Sequence, residues 1–105
     1  MNQELETLKI VTQRLHQSGI LYMVTGSIAS NFYALPRMTR DIDIVLEVEK
    51  DHIDKLLAVF KDDFYVDREM AMEAVDRRGM FNIIHNHYVI KIDFNLSISE
   101  MIMKL

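Results

Sequence analysis

The sequence predicts an α/β (α+β) domain in which a mixed β-sheet is flanked by helices. Residues 2–18 place apolar side chains at helical spacing and are followed by Gly19, which is typical of an amphipathic helix and its end. Residues 41–48 alternate between apolar and mostly acidic side chains, which is typical of a strand with one buried face. Residues 80–84 and 88–96 predict two more strands, and their polar connection is short enough for a hairpin.

Shorter segments complete the predicted order of elements. Residues 20–24 are apolar and lie between two glycines, which predicts a short buried strand. The next predicted helix would be capped by Ser27 and would stop before Pro36, because a residue preceding proline avoids the helical region. That helix covers residues 27–35. The remaining predictions are helices over 50–61 and 68–75, a short strand over 64–66 and a last helical turn from Ser99.

Composition limits the class of protein. With 105 residues, half of them apolar, the chain is expected to form a single domain over residues 1–105. The absence of cysteine excludes disulfides and thiolate zinc sites, and it favours a reducing compartment, so a cytoplasmic location is expected. No apolar run approaches the roughly 20 residues that span a bilayer, so no membrane partner is expected. The net charge of -4 argues against a surface that wraps nucleic acid electrostatically.

Acidic residues on two predicted strands suggest a carboxylate cluster. Asp41 and Asp43 are two positions apart, so both project from the same face of their strand. The last predicted strand carries on one face Lys91, Asp93 and Asn95. If the two strands are neighbours, Asp93 becomes the third carboxylate of the cluster.

Such a cluster predicts a metal. Three neighbouring carboxylates repel one another unless a cation neutralises them. Ligation by oxygen alone favours Mg²⁺ or Mn²⁺ over zinc, and these ions commonly combine a few carboxylates with substrate phosphates. The chemistry indicated is phosphoryl or nucleotidyl transfer.

A phosphate site is predicted at the junction of the first strand and the second helix. Gly26 allows close approach of the backbone, Ser27 offers a hydroxyl, and the following helix start presents unpaired N–H groups to an anion. Arg37 and Arg40 lie between this junction and the carboxylates, where they could add charge-assisted contacts to a nucleotide.

Each of these features has an ordinary interpretation when it stands alone. A single Asp-x-Asp is usually a solvated strand face, a Gly-Ser is usually a turn, and a lone aspartate or arginine is usually a surface charge. His85 and His87 could ligate a metal, but histidines in a turn are more often simply polar, and His16 and His52 are expected at the surface. The order of these features along the chain, and not any one of them, therefore indicates a site.

That order is TGSIASNFYALPRMTRDIDIVLE followed later by KIDFNL. It resembles the DNA polymerase β-like nucleotidyltransferase superfamily, and most of all its small prokaryotic members related to abortive-infection toxins. The resemblance implies a nucleotidyltransferase fold in which Gly26 and Ser27 hold a nucleoside triphosphate. It also implies that Asp41 and Asp43 ligate two metal ions, and that Asp93 ligates one of them and helps to activate the acceptor.

The function implied is Mg²⁺-dependent transfer of a nucleoside monophosphate from a nucleoside triphosphate to a hydroxyl of RNA, protein or a small molecule. Relatives usually carry a helical region after the core, and this chain has little sequence there. A partner protein or a second copy could cover that end, which leaves an alternative function. The chain could instead be a nucleotide- or partner-binding module without turnover, for example one component of a toxin–antitoxin-like or two-chain assembly. A plain structural domain with fortuitous acids is the third alternative.

Overall fold

The structure is a computed structural model, and it describes residues 3–24 and 41–96. Helices and strands alternate within these ranges as far as the last two strands, which follow one another directly. In chain order they are α1 (Gln3–Gln17), β1 (Leu21–Val24), β2 (Asp41–Glu47), a 3₁₀ turn (Lys50–His52), α2 (Ile53–Ala58), β3 (Phe64–Tyr65), α3 (Arg68–Arg77), β4 (Met80–His85) and β5 (Lys91–Asn95).

The strands form one five-stranded mixed sheet in the order β1-β2-β5-β4-β3. β2 and β5 are parallel neighbours, and the other neighbouring pairs are antiparallel. A parallel pair needs a long crossover connection, and here it contains α2, β3, α3 and β4. The predicted class, a mixed sheet flanked by helices, is confirmed.

The hydrophobic core lies between one face of the sheet and the helices. On β2 the even-numbered Ile42 and Ile44 are fully buried, and on β5 so are Ile92 and Phe94. The helices contribute Val11, Leu15, Ile53, Leu56, Ala71 and Ala74. Because side chains alternate across a strand, this burial turns the odd-numbered residues of β2 and β5 toward the opposite face.

Helix α1 forms as its sequence pattern predicts. Val11 and Leu15 are one helical turn apart and are both fully buried, which is worth about 1.5–3 kcal/mol for each side chain. Glu4 in the first turn suits the positive end of the helix dipole. The helix ends before Gly19, whose φ is +72° and whose N–H donates to the carbonyl oxygen of His16 at 3.1 Å.

Helix α3 and strand β3 confirm the predictions made over 68–75 and 64–66. The Asp67 side chain caps α3 by accepting the N–H of Met70 at 3.1 Å. The helix predicted over 50–61 is shorter and spans Ile53–Ala58, with the 3₁₀ turn in place of its first residues and a turn over 59–63 in place of its last. None of the helices in the described part of the chain is long and apolar enough to cross a membrane.

Two strand predictions need correction. The burial predicted for residues 20–24 is wrong, because β1 is an edge strand and Leu21 is 67% exposed. The strand predicted from Tyr88 begins only at Lys91. The strand starts later because residues 88–90 belong to the turn, where Val89 adopts a φ of +56° and donates its N–H to the carbonyl oxygen of His85 at 2.8 Å.

Candidate functional site

The acidic face of the sheet is built by β2 and β5. These strands are parallel and pair Asp43 with Asp93 and Asp41 with Lys91. Paired residues on neighbouring strands point to the same face, with strands about 4.8 Å apart. The structure therefore brings Asp93 beside Asp43, as the predicted neighbourhood of the two strands requires.

Strand β4 extends this face on the other side of β5. Asn82 is the register partner of Asp93, and Ile84 is the register partner of Lys91. Asp93 thus has Asp43 on one side and Asn82 on the other. Asn82 was not predicted as a site residue, although the alternation within Met80–His85 is the signal that places it on this face.

Asp93 is the most buried acid of the site. Its side chain is 12% exposed, and its Oδ1 atom is buried with no hydrogen-bond partner among the described residues. The pKa of this carboxyl is raised, first because burial disfavours its charged form. Lys91 opposes that effect, and the charges of Asp41 and Asp43 add to it.

Lys91 provides a positive charge on the same face. Its Nζ atom lies 3.8 Å from Oδ1 of Asp41 and 3.9 Å from Oδ1 of Asp93. Both separations allow ion pairing but exceed the range of an N–H···O hydrogen bond. The sequence placed Lys91 on the face of Asp93, but its proximity to Asp41 follows only from the register of β2 and β5.

The carboxylates share a face without converging on one point. No group of three or more His, Cys, Asp or Glu side chains that could hold a metal ion occurs within residues 3–24 and 41–96. Mg²⁺ commonly takes only one or two protein carboxylates and completes its shell with water and phosphate oxygens. The all-oxygen donors, and an Asp93 Oδ1 atom that accepts no hydrogen bond from the described residues, therefore fit an ion of this kind.

The other predicted site residues lie outside the described part of the chain. These are the nucleotide-binding residues Gly26, Ser27, Arg37 and Arg40. The predicted helix over 27–35 and the turn from Ser99 also lie outside it. The described residues thus contain the carboxylate half of the predicted site.

The histidines of the β4–β5 turn do not belong to this face. His85 is only 7% exposed and lies on the core side of β4. Its Nδ1 accepts the backbone N–H groups of His87 at 3.3 Å and Tyr88 at 3.0 Å. The sequence suggested an ordinary polar turn and missed this buried acceptor.

A cavity of about 310 Å³ lies at the other end of β2 from Asp41. Glu47, Val48, His52 and Lys55 are among its lining residues. Since neither Asp43 nor Asp93 lines it, this cavity is separate from the acidic face.

Comparisons with protein-family models, with curated proteins and with solved structures found no match to this chain. The resemblance to the nucleotidyltransferases therefore stays a prediction from the sequence motif.

Proposed function

We propose that the chain is a metal-dependent nucleotidyltransferase of the DNA polymerase β-like superfamily and has the fold of that superfamily. One observation carries the proposal. Asp43 and Asp93 are register partners on adjacent parallel strands, with Asp41 on the same face. Folding alone does not favour this arrangement, since like charges opposite each other destabilise a sheet and a buried polar atom without a partner costs free energy. A bound cation would offset both costs.

The donors fit Mg²⁺ or Mn²⁺. Asp41, Asp43 and Asp93 offer only carboxylate oxygen, which these hard ions prefer, and the phosphates of a nucleotide would complete the shell. When bound, the ions would stabilise the attacking and leaving oxygens of an in-line displacement.

The other steps fall to residues of the chain. Gly26 and Ser27 would hold the triphosphate, and Arg37 and Arg40 would contact its phosphates. Asp93 would accept the proton of the acceptor hydroxyl. The hydroxyl oxygen would bond to the α-phosphorus as the bond to pyrophosphate breaks. The acceptor can be RNA, a protein or a small molecule.

A second function is a nucleotide- or partner-binding module without turnover. Two observations favour it: the carboxylates of the described residues do not converge on one point, and the ammonium of Lys91 lies between the carboxylates of Asp41 and Asp93. The two functions share a fold and differ in whether a nucleotide is consumed.

The experiment is a calorimetric titration of each common nucleoside triphosphate with Mg²⁺ or Mn²⁺. We expect binding to the wild type and to a control, Asp62→Asn, which removes an exposed acid from the turn between α2 and β3. Asp43→Asn should weaken binding by at least about tenfold, since even the outer partners of metal ligands are worth about 10- to 100-fold in affinity. Equal binding by all three proteins would refute the assignment of the site.

The nucleotide that binds is then supplied with a label at its α-phosphate, together with RNA or protein as acceptor. Transfer of the label by the wild type and not by Asp43→Asn would support the enzyme. Metal-dependent binding without transfer to any acceptor would favour the binding module. Failure of every nucleotide to bind would argue against the enzyme and against a nucleotide-binding module, and it would favour a module that binds a partner protein.

A further inference from the structure

Lys91 occupies the position where a cation is needed. Its ammonium lies between the carboxylates of Asp41 and Asp93, within ion-pair distance of both. Asp93 Oδ1 accepts no hydrogen bond from the described residues, and the positive charge beside it is Lys91 Nζ of the same strand, at 3.9 Å. A divalent ion held by Asp41 and Asp93 would enter the same space, and two cations so close would repel each other strongly.

The two partners of this ion pair differ in how easily they can leave. The Asp93 side chain is 12% exposed and the Lys91 side chain is 40% exposed. A partly exposed lysine on a flexible stem gives up little free energy when it moves into water or to another anion. A buried carboxylate cannot leave and needs a positive charge beside it. The carboxylate is therefore fixed, and its counter-ion can be exchanged.

We propose that Lys91 is an exchangeable counter-ion of the carboxylate site, displaced from Asp41 and Asp93 by a divalent ion and then paired with the phosphates of the bound nucleotide. This inference rests on the proposed function and adds a regulatory role to it. A metal ion alone binds against the competition of Lys91, whereas a metal–triphosphate complex binds with its help. Metal and nucleotide then bind with positive coupling.

The first test measures Mn²⁺ binding without nucleotide, from the electron paramagnetic resonance signal of free Mn²⁺ at one pH. Lys91→Met keeps the length of the side chain and removes the competing charge, so Mn²⁺ should bind roughly tenfold more tightly, as expected for the loss of one or two partly exposed ion pairs. Lys91→Arg retains the charge and should not tighten binding. Lys61→Met makes the same change of net charge in the exposed turn between α2 and β3 and should leave Mn²⁺ binding unchanged.

The second test measures binding of the magnesium complexes of the common nucleoside triphosphates to the same proteins by calorimetry. Lys91→Met removes both the competition of the ammonium with the metal and its contact with phosphate, so this binding should show none of the roughly tenfold gain expected for free Mn²⁺. A purely structural lysine would not produce this pair of effects, tighter binding of the free ion and no gain for the complex.

The outcomes separate this inference from the function on which it rests. Mn²⁺ binding to the wild type that Lys91→Met leaves unchanged or weakens would overturn the displacement of Lys91 while leaving the proposed function intact. An equal gain in affinity for free Mn²⁺ and for the magnesium–nucleotide complexes would overturn the transfer of the ammonium to phosphate. Absence of Mn²⁺ and nucleotide binding in every variant would remove the proposed function and the inference together.

Discussion

Asp93 and Asp43 are register partners on β5 and β2, and the Oδ1 atom of Asp93 is buried with no hydrogen-bond partner among the described residues. Two acids placed side by side in the middle of a sheet weaken it, since each disfavours the charge of the other. A local conflict of this kind is expected where function rather than stability selects the residue.

The variant Asp93→Asn should therefore be more stable than the wild type when metal is absent. The amide has no charge to bury, and its NH₂ group can donate to a neighbouring carboxylate, so we expect the free energy of unfolding to rise by about 1 kcal/mol. Urea denaturation in the presence of a chelator measures this difference, with Asp62→Asn as an exposed control. Added Mn²⁺ should stabilise the wild type and not Asp93→Asn. A variant less stable than the wild type in chelator would show that the carboxylate contributes to folding.

Arg14 and Asp63 join α1 to the turn before β3, on the other side of the sheet from the acidic face. Two hydrogen bonds of 2.7 Å connect the guanidinium and the carboxylate, and Arg14 also donates to the carbonyl oxygen of Val59 at 2.9 Å. Lysine cannot reproduce this two-pronged contact. Arg14→Lys should lower the free energy of unfolding by about 1 kcal/mol, a value that allows for solvent screening of a partly exposed pair. Urea denaturation at neutral pH provides the measurement.

The control for this prediction is Arg68→Lys, in a pair with Asp54 that has similar geometry but is much more exposed. It should leave stability unchanged within error. The hydrogen bond from Arg14 also lowers the pKa of Asp63 below its ordinary value of 3.8. The contribution of this ion pair to the free energy of unfolding is thus fully present above pH 3.8, and it is lost as the pH falls through the lower pKa of Asp63 in the folded state. If Arg14→Lys and Arg68→Lys lowered the free energy of unfolding equally, the smaller exposure of the Arg14–Asp63 pair would not be the cause of its contribution.

The sequence could predict which residues share a face. In residues 41–48 the two-residue period of a strand fixes the side of every side chain, so burial of Ile42 and Ile44 and the placement of Asp41 and Asp43 followed directly. Val45 departs from this pattern, since it lies on the acidic face and is fully buried. The local sequence pattern therefore predicts which face of a strand a side chain lies on better than it predicts how buried that side chain is.

Strand order and register depend on contacts that are distant in sequence. The pairing of Asp41 with Lys91 joins residues 50 positions apart and is absent from any local pattern. The same limit explains why Leu21 was expected to be buried, since only the strand order shows that β1 lies at an edge. His85 was missed for a related reason, because its burial results from packing of the turn against Phe64, Tyr88 and the core.

His85 should make the stability of the protein depend on pH near neutrality. Burial lowers its pKa below the ordinary value of 6.5, and the charges of His87 and Arg14 lower it while that of Asp63 raises it. The neutral ring stabilises the fold fully above pH 6.5, and that contribution is lost as the pH falls through the lower pKa of the folded state. Thermal unfolding at a series of pH values from 7.5 downward should show a falling midpoint.

His85→Asn keeps a hydrogen-bond acceptor in the turn and cannot be protonated. It should flatten this pH dependence while lowering stability by about 1 kcal/mol, since the ring stacks on Tyr88 at 4.7 Å and meets Phe64 edge-on at 4.9 Å. The exposed His52 serves as control, because His52→Asn should leave the pH dependence as it is in the wild type. An unchanged slope in His85→Asn would assign the pH dependence to another group.

Val89 should be a site where a single substitution stabilises the protein. This β-branched residue adopts a φ of +56° in the β4–β5 turn and is 66% exposed, so its side chain adds strain and little burial. Asparagine tolerates the left-handed region, and Val89→Asn should raise the free energy of unfolding by about 1 kcal/mol. Val89→Ala loses the same exposed methyl groups but keeps most of the strain, so it should gain less in the same urea denaturation series. If alanine and asparagine gave equal gains, the benefit would come from removing exposed apolar surface and not from relief of the backbone.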